Sequence, residues 1–283
     1  MSRDPAEAER SAAHLKRASR RALALALALA SLTGCALHAP RIEDVLTPDS
    51  ESSRALEQAR ACPDDPARAV AAARLLFQAA DLRMQRAIVA GLAKRSAPSL
   101  EQVLAAEDEI QGPVRDELLG LCTEGLRLAE QALSEAPNDK DALLHAALHL
   151  SLVAWANGPA RSLFAGYGPR LTRAIDKIVT MDPVFDDGAP LRLQGRFLAR
   201  APWPYGDKAK AKIALERSAE IAGVPVTHLF LGDLLHALGD TDRAASEWQK
   251  AAKAADVDST RSSGSLHREL ARLRLLAIAK RER

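Results

Sequence analysis

Aromatic residues are scarce in this chain: five Phe, three Trp and two Tyr among 283 residues. Sheet cores draw on aromatic and β-branched side chains, so a chain poor in rings and rich in alanine and leucine disfavours a β-rich fold. The same composition suits close helix–helix packing with small residues at the contacts. An excess of one charge is missing too. The 39 Lys/Arg and 37 Asp/Glu nearly cancel, and with residues 1–34 set aside 33 bases face 34 acids. That balance removes any electrostatic argument for nucleic-acid binding. No apolar run is long. The longest uncharged stretch of the leader, Ala22 to Leu32, rises roughly 16 Å as a helix, about half of a bilayer's hydrocarbon core, and cannot span one. Cysteine is limited to Cys35, Cys62 and Cys122. The last two read as small buried residues, although an oxidising compartment would let them pair.

What is present begins with that leader. Lys16, Arg17, Arg20 and Arg21 form a positive region ahead of the apolar run, the pattern of a secretory signal. Leu32-Thr33-Gly34-Cys35 then resembles the lipobox of bacterial lipoproteins. The resemblance implies cleavage before Cys35, a diacylglycerol on its sulfur and attachment to a membrane through that residue. Ser19-Arg20-Arg21-Ala22-Leu23 partly resembles a twin-arginine export motif, and general secretion is the simpler reading. Ala36 is not the aspartate associated with inner-membrane retention, so the expected location is the periplasm-facing leaflet of the outer membrane. Residues 35–52, with Pro40, Pro48, Ser50 and Ser52, read as a tether.

From residue 53 to 283 the pattern is helical throughout. Apolar residues recur at spacings of three and four, with Pro, Gly, Asp or Asn at the breaks. Helices are expected near 53–61, 66–80, 82–93, 99–109, 113–135, 140–156, 160–166, 169–181, 187–199, 207–222, 226–238, 241–254 and 265–281. The breaks recur as repeats do. In 226–257, Leu231-Gly232, Leu235 and Leu238 stripe a first helix and Gly239-Asp240 turn the chain. Ala244, Trp248, Ala251 and Ala252 stripe the second helix. This resembles a tetratricopeptide repeat, with His228 where the first-helix tryptophan would stand and Asp256 in place of the final proline. In 187–222, Gly195 with Leu191 and Leu198 precede Ala211, Leu215 and Ala219, the turn being lengthened by Ala201-Pro202-Trp203-Pro204-Tyr205. The expected architecture is all-α: an α-solenoid of degenerate tetratricopeptide-like hairpins, capped by the basic-backed helix from Leu266 to Arg283.

Catalytic and metal signatures are weak. His145 and His149 lie four apart but lack a third ligand at a diagnostic spacing. Asp240-Thr241-Asp242 lacks the later residues of a calcium loop and reads as a helix N-cap. No G-x-S-x-G element appears. The expectation is a non-enzymatic protein without metal or cofactor. Pro202-Trp203-Pro204-Tyr205 stands out, because two prolines fix the backbone around a Trp and a Tyr. Such a loop serves either as an apolar wall or partner contact, or as a plug for an irregular repeat. Tyr167 and Trp155, in the other irregular stretch with Phe164, and His228 complete the candidate binding residues.

Ile175-Asp176-Lys177-Ile178, Met181-Asp182-Pro183, Leu193-Gln194-Gly195-Arg196-Phe197, Pro202-Trp203-Pro204-Tyr205-Gly206-Asp207 and His228-Leu229-Phe230-Leu231-Gly232 together are similar to a narrower family. They resemble the T component of tripartite ATP-independent periplasmic (TRAP) transporters, over about a third of the chain. The resemblance implies a lipoprotein that forms ring-like homotrimers and engages a periplasmic solute-binding protein. It further implies passage of hydrophobic or organic-acid solutes toward a permease. The rival expectation is a tetratricopeptide scaffold for assembly of an envelope protein complex.

Overall fold

The computed structural model describes Ile42, Leu46, residues 50–254 and residues 263–281. The expected signal, the expected lipidation site Cys35 and residues 255–257 of the second expected repeat lie outside the described residues. Eleven helices lie between Glu51 and Arg281 among them, and no strand is present. They are α1 (Glu51–Ala61), α2 (Pro66–Ala93), α3 (Leu100–Ala105), α4 (Pro113–Glu135), α5 (Lys140–Phe164) and α6 (Tyr167–Met181). α7 (Phe185–Arg200), α8 (Lys208–Ile221), α9 (Pro225–Ala237), α10 (Thr241–Lys253) and α11 (Gly264–Arg281) follow. The all-α expectation holds among the described residues.

Most starts are legible as caps. Ser50 Oγ accepts from Ser53 N–H at 3.1 Å, Asp65 opens α2 ahead of Pro66, and Asp139 accepts from Ala142 N–H at 2.7 Å. Ser99 and Gln102 form a reciprocal capping box on α3, and Asp240 accepts from Arg243 N–H at 3.2 Å to open α10. Each arrangement satisfies amide donors that have no partner within the helix. The reading of Asp240 as a cap is therefore correct.

Boundaries differ in four places, one being that the helices expected over 140–156 and 160–166 run together as α5, kinked at Gly158. The expected break at Asp81 is absent: α2 runs unbroken through it, and the carboxylate accepts instead from Gln85 Nε2 (3.1 Å) and from Ser263 Oγ. The helix expected over 99–109 stops at Ala105 and ends in turns. The tether expected over 35–52 is not wholly free, because Ile42 is buried and Leu46 packs against the same core.

Consecutive helices pack on one another from α1 to α11, except that α2 meets α4 directly while α3 packs against α11. Two crossings show why glycine stands where it does. A Cβ on Gly195 would lie 2.5 Å from Leu215 Cγ, at the α7–α8 contact. One on Gly232 would lie 2.5 Å from Trp248 Nε1, at the α9–α10 contact.

The last helix does more than cover the last pair. α11 touches α9 and α10, as a cap would, and also reaches α3 and α2 near the other end of the domain. Its polar side is not all solvent-facing either. Arg274 is 6 % exposed and grips Asp233 of α9 with Nε to Oδ1 at 2.6 Å and Nη2 to Oδ2 at 3.0 Å. Trp248 Nε1 donates to the same Oδ1 at 3.0 Å, so one carboxylate ties together α9, α10 and α11. The path of helices returns on itself and leaves a space inside.

Candidate functional site

That space is a cavity of about 1490 Å³, with walls contributed by α2, α5, α6, α7, α9 and α11 among others. A kinked helix and a long turn shape one part of its wall. In α5, Gly158 leaves helical geometry (φ 77°, ψ 166°), and Pro159 has no N–H to give to the carbonyl of Trp155 four residues earlier. Arg115 of α4 supplies the missing donors: Nη2 donates to Trp155 O and Nε to Ala156 O, both at 2.9 Å. Its guanidinium also lies 5.1 Å from the Trp155 ring centroid, a cation–π distance that fixes the indole at the kink. Ser162 Oγ donates to Ala154 O at 2.7 Å across the same break.

The long turn joins α7 and α8. Tyr205 N–H and Gly206 N–H both donate to Pro202 O (3.0 and 3.1 Å), and Asp207 N–H closes the turn onto Leu198 O at 2.9 Å. The Tyr205 ring packs onto Gly168 so closely that a Cβ there would sit 2.5 Å from Cε2. One irregular stretch is thereby plugged into the other. Trp155, Tyr167, Trp203 and Tyr205 all line the cavity, but they differ in setting. Tyr205 is seated against Gly168, whereas Trp203 is 90 % exposed at the mouth. Phe164, expected near them, is 72 % exposed and forms no part of the lining.

His228 has a different place. It does not line the cavity; it is buried between α9 and α10, where Nδ1 meets Glu247 Oε2 at 2.7 Å. Lys250 Nζ reaches the other oxygen of that carboxylate, also at 2.7 Å. Burial acts to raise the Glu247 pKa, and the bonds from His228 and Lys250 outweigh it, so the carboxyl titrates below its usual range. The cluster staples two helices and offers nothing to a solute in the cavity.

The other histidine pair is structural in the same sense. His149 Nε2–H donates to Ala73 O at 2.8 Å, and its ring occupies the notch left by Gly125, so α2, α4 and α5 meet on one imidazole. Burial, with neighbouring His145 adding to it, pushes its pKa down to about 3. His145 Nδ1–H donates to Asp141 O at 2.9 Å, and Phe77 stands edge-on to both rings. Both are neutral, enclosed side chains rather than residues on a helix flank. Among the described residues no group of three or more His, Cys, Asp or Glu is placed to hold a metal ion. Cys62 and Cys122 are free thiols, and burial pushes the Cys122 pKa up.

A charged part of the wall escaped the sequence reading. Arg192, Arg196 and Arg200 follow one another every four residues on α7 and line the cavity. Arg196 pairs with Glu107, Arg200 with Asp108, and the Arg196 guanidinium sits 4.3 Å from the Phe230 ring centroid. Burial works to raise the Glu107 pKa, but Arg196 and Arg200 reverse it and hold the carboxyl below its ordinary value. The four-residue spacing could have marked an arginine face, but not its partners, which lie 89 and 92 residues away. Near them the chain turns through three left-handed residues, Asp186, Asp187 and Gly188 (φ 44°, 56° and 71°). Ser218 Oγ steadies this turn by donating to Gly188 O at 3.0 Å.

The cavity therefore combines aromatic surface with paired charges. Two of its serine hydroxyls are engaged: Ser151 donates to Leu148 O and Ser162 to Ala154 O, both at 2.7 Å. No family model matches the sequence, and no curated protein is significantly similar to it.

Proposed function

We propose that the chain is a non-catalytic envelope lipoprotein whose cavity holds a solute, acting as an accessory to periplasmic solute uptake of the TRAP transporter type. The observation that carries the reading is the cavity of about 1490 Å³ whose wall gathers Trp155, Tyr167 and Tyr205 from two irregular stretches of the chain. An apolar lining with a few convergent polar groups is the usual form of a small-molecule site. Degenerate tetratricopeptide-like hairpins are its building units, a reading supported by the close crossings at Gly195 and Gly232. Attachment through Cys35, an outer-membrane location, a periplasmic solute-binding protein as partner and a homotrimer complete the proposal. Among the described residues no helix is long and apolar enough to cross a membrane.

Extraction of the purified full chain, followed by mass spectrometry, tests it. The wild type yields a small molecule in roughly stoichiometric amount, and Ala154→Phe, which adds a ring at the cavity wall, carries at least several-fold less at an unchanged melting temperature. Equal amounts from both forms, or none from the wild type, would refute the reading. A second reading, a scaffold for envelope assembly, gains from the same volume, which exceeds the ~300–1,000 Å³ common for single small ligands and suits a peptide segment. In that case the extract contains peptide rather than solute.

A further inference from the structure

The mouth of the cavity is apolar where a soluble surface usually is not. Leu163, Phe164 and Trp203 are 64 %, 72 % and 90 % exposed. They belong to the two irregular stretches that the contact of Tyr205 with Gly168 brings together, and Leu163 and Trp203 themselves line the opening. Pro159, Pro202 and Pro204 stiffen the backbone around them, so the exposed rings are presented on a preordered edge.

The charge of these stretches is one-sided. Residues 158–173 contain Arg161, Arg170 and Arg173 and no acid, and residues 201–210 contain Lys208 and Lys210 against Asp207 alone. Asp207 is spent on capping α8 and on Lys210, and Arg170 is paired with Glu130. Arg161, Arg173 and Lys208 make no ion pair among the described residues. Within these two stretches, cations with no ion pair among the described residues thus flank in sequence the three most exposed large apolar side chains.

From this we infer that the rim formed by residues 159–173 and 201–208 docks on an anionic lipid surface, with Trp203, Phe164 and Leu163 entering the headgroup boundary and the cavity mouth held against the bilayer. Exposed aromatic and leucine side chains with flanking Lys/Arg are what interfacial binding requires, since apolar burial and attraction to anionic headgroups add. A protein partner would need acids to meet these cations as well as pockets for the rings; a bilayer bearing anionic headgroups supplies both at once. The inference concerns the rim and holds whichever solute fills the cavity.

Tryptophan quenching by lipids tests it on the full chain. Vesicles of phosphatidylglycerol and phosphatidylcholine brominated on their acyl chains will quench the emission of Trp203, while Trp248, fully buried in the core, will not respond. The expected result is quenching that Trp203→Phe removes and that Arg161→Glu with Arg173→Glu reduces at least about twofold, as does high salt. All three substituted positions lie outside the hydrophobic core, so the fold is kept, which an unchanged melting temperature will verify. Quenching that is absent, that is equal in wild type and Trp203→Phe, or that is equal on purely neutral vesicles would each overturn the inference. Loss of the co-purified solute with quenching intact would refute the proposed function alone.

Discussion

Asp233→Leu is the substitution that bears most directly on how the helices close. Asp233 accepts two bonds from Arg274, at 2.6 and 3.0 Å, and one from Trp248 Nε1, at 3.0 Å. The guanidinium is 6 % exposed, and without the carboxylate it retains only the bond from Nη1 to Leu270 O at 3.0 Å. Breaking such a pair by removing one partner strands a charge away from water and costs about 3–5 kcal/mol. Stability of a domain of this kind is itself only on the order of 5–15 kcal/mol, so the loss is easily read as a lower urea midpoint at unchanged slope. Adding Arg274→Met should restore part of it, because replacing both members of a buried pair by apolar groups is close to neutral while the buried Trp248 Nε1–H stays without its acceptor. If Asp233→Leu costs less than about 1 kcal/mol, or if the second substitution brings no recovery, Arg274 is not enclosed as described and α11 is not seated on α9.

Two further outcomes follow from the packing. His149 is neutral in the fold down to about pH 3 but protonates near its ordinary value once unfolded. Its contribution is therefore complete above pH 6.5 and is lost as pH falls from there toward 3, at about 1.4 kcal/mol per pH unit. His145 and His267, also lowered by burial, add in the same direction, so thermal midpoints should drop steadily below pH 6.5, and His149→Gln should flatten that slope. A midpoint unchanged between pH 7 and pH 5 would contradict it. At the two aromatic loop positions the effects should separate: Tyr205→Ala empties the contact on Gly168 and costs about 1–3 kcal/mol, whereas Trp203→Ala, at an exposed ring, changes stability by less than about 0.5 kcal/mol. Equal losses in thermal or urea unfolding would show that Trp203 is structural as well.

Much of the secondary structure was legible because local signals agreed with it: Asp65-Pro66, Ser99 with Gln102, Asp139 and Asp240 each open a helix as capping chemistry demands. The failures have one cause. Asp81 looked like a break because a charge interrupts an apolar run, yet it serves partners 4 and 182 residues away, and the second cannot be seen locally. The site divides in the same manner. Trp155, Tyr167, Trp203 and Tyr205 stood out as rare rings beside proline and glycine, and the structure brings them to one cavity. His228 stood out equally, but it is claimed by Glu247, 19 residues on. Arg196, Arg200 and Arg274 resembled ordinary surface charges until their acids arrived from α9 and from the turn after α3.

The cavity is enclosed only where α11 returns to α3. Spin labels on Gln102→Cys and Leu276→Cys, in a chain with Cys35, Cys62 and Cys122 replaced by Ser, measure that closure in solution by electron–electron distance. One short, narrow distance between the two helices is the predicted result. A long or broad distribution, as an open row of hairpins would give, would contradict the enclosure and with it the site.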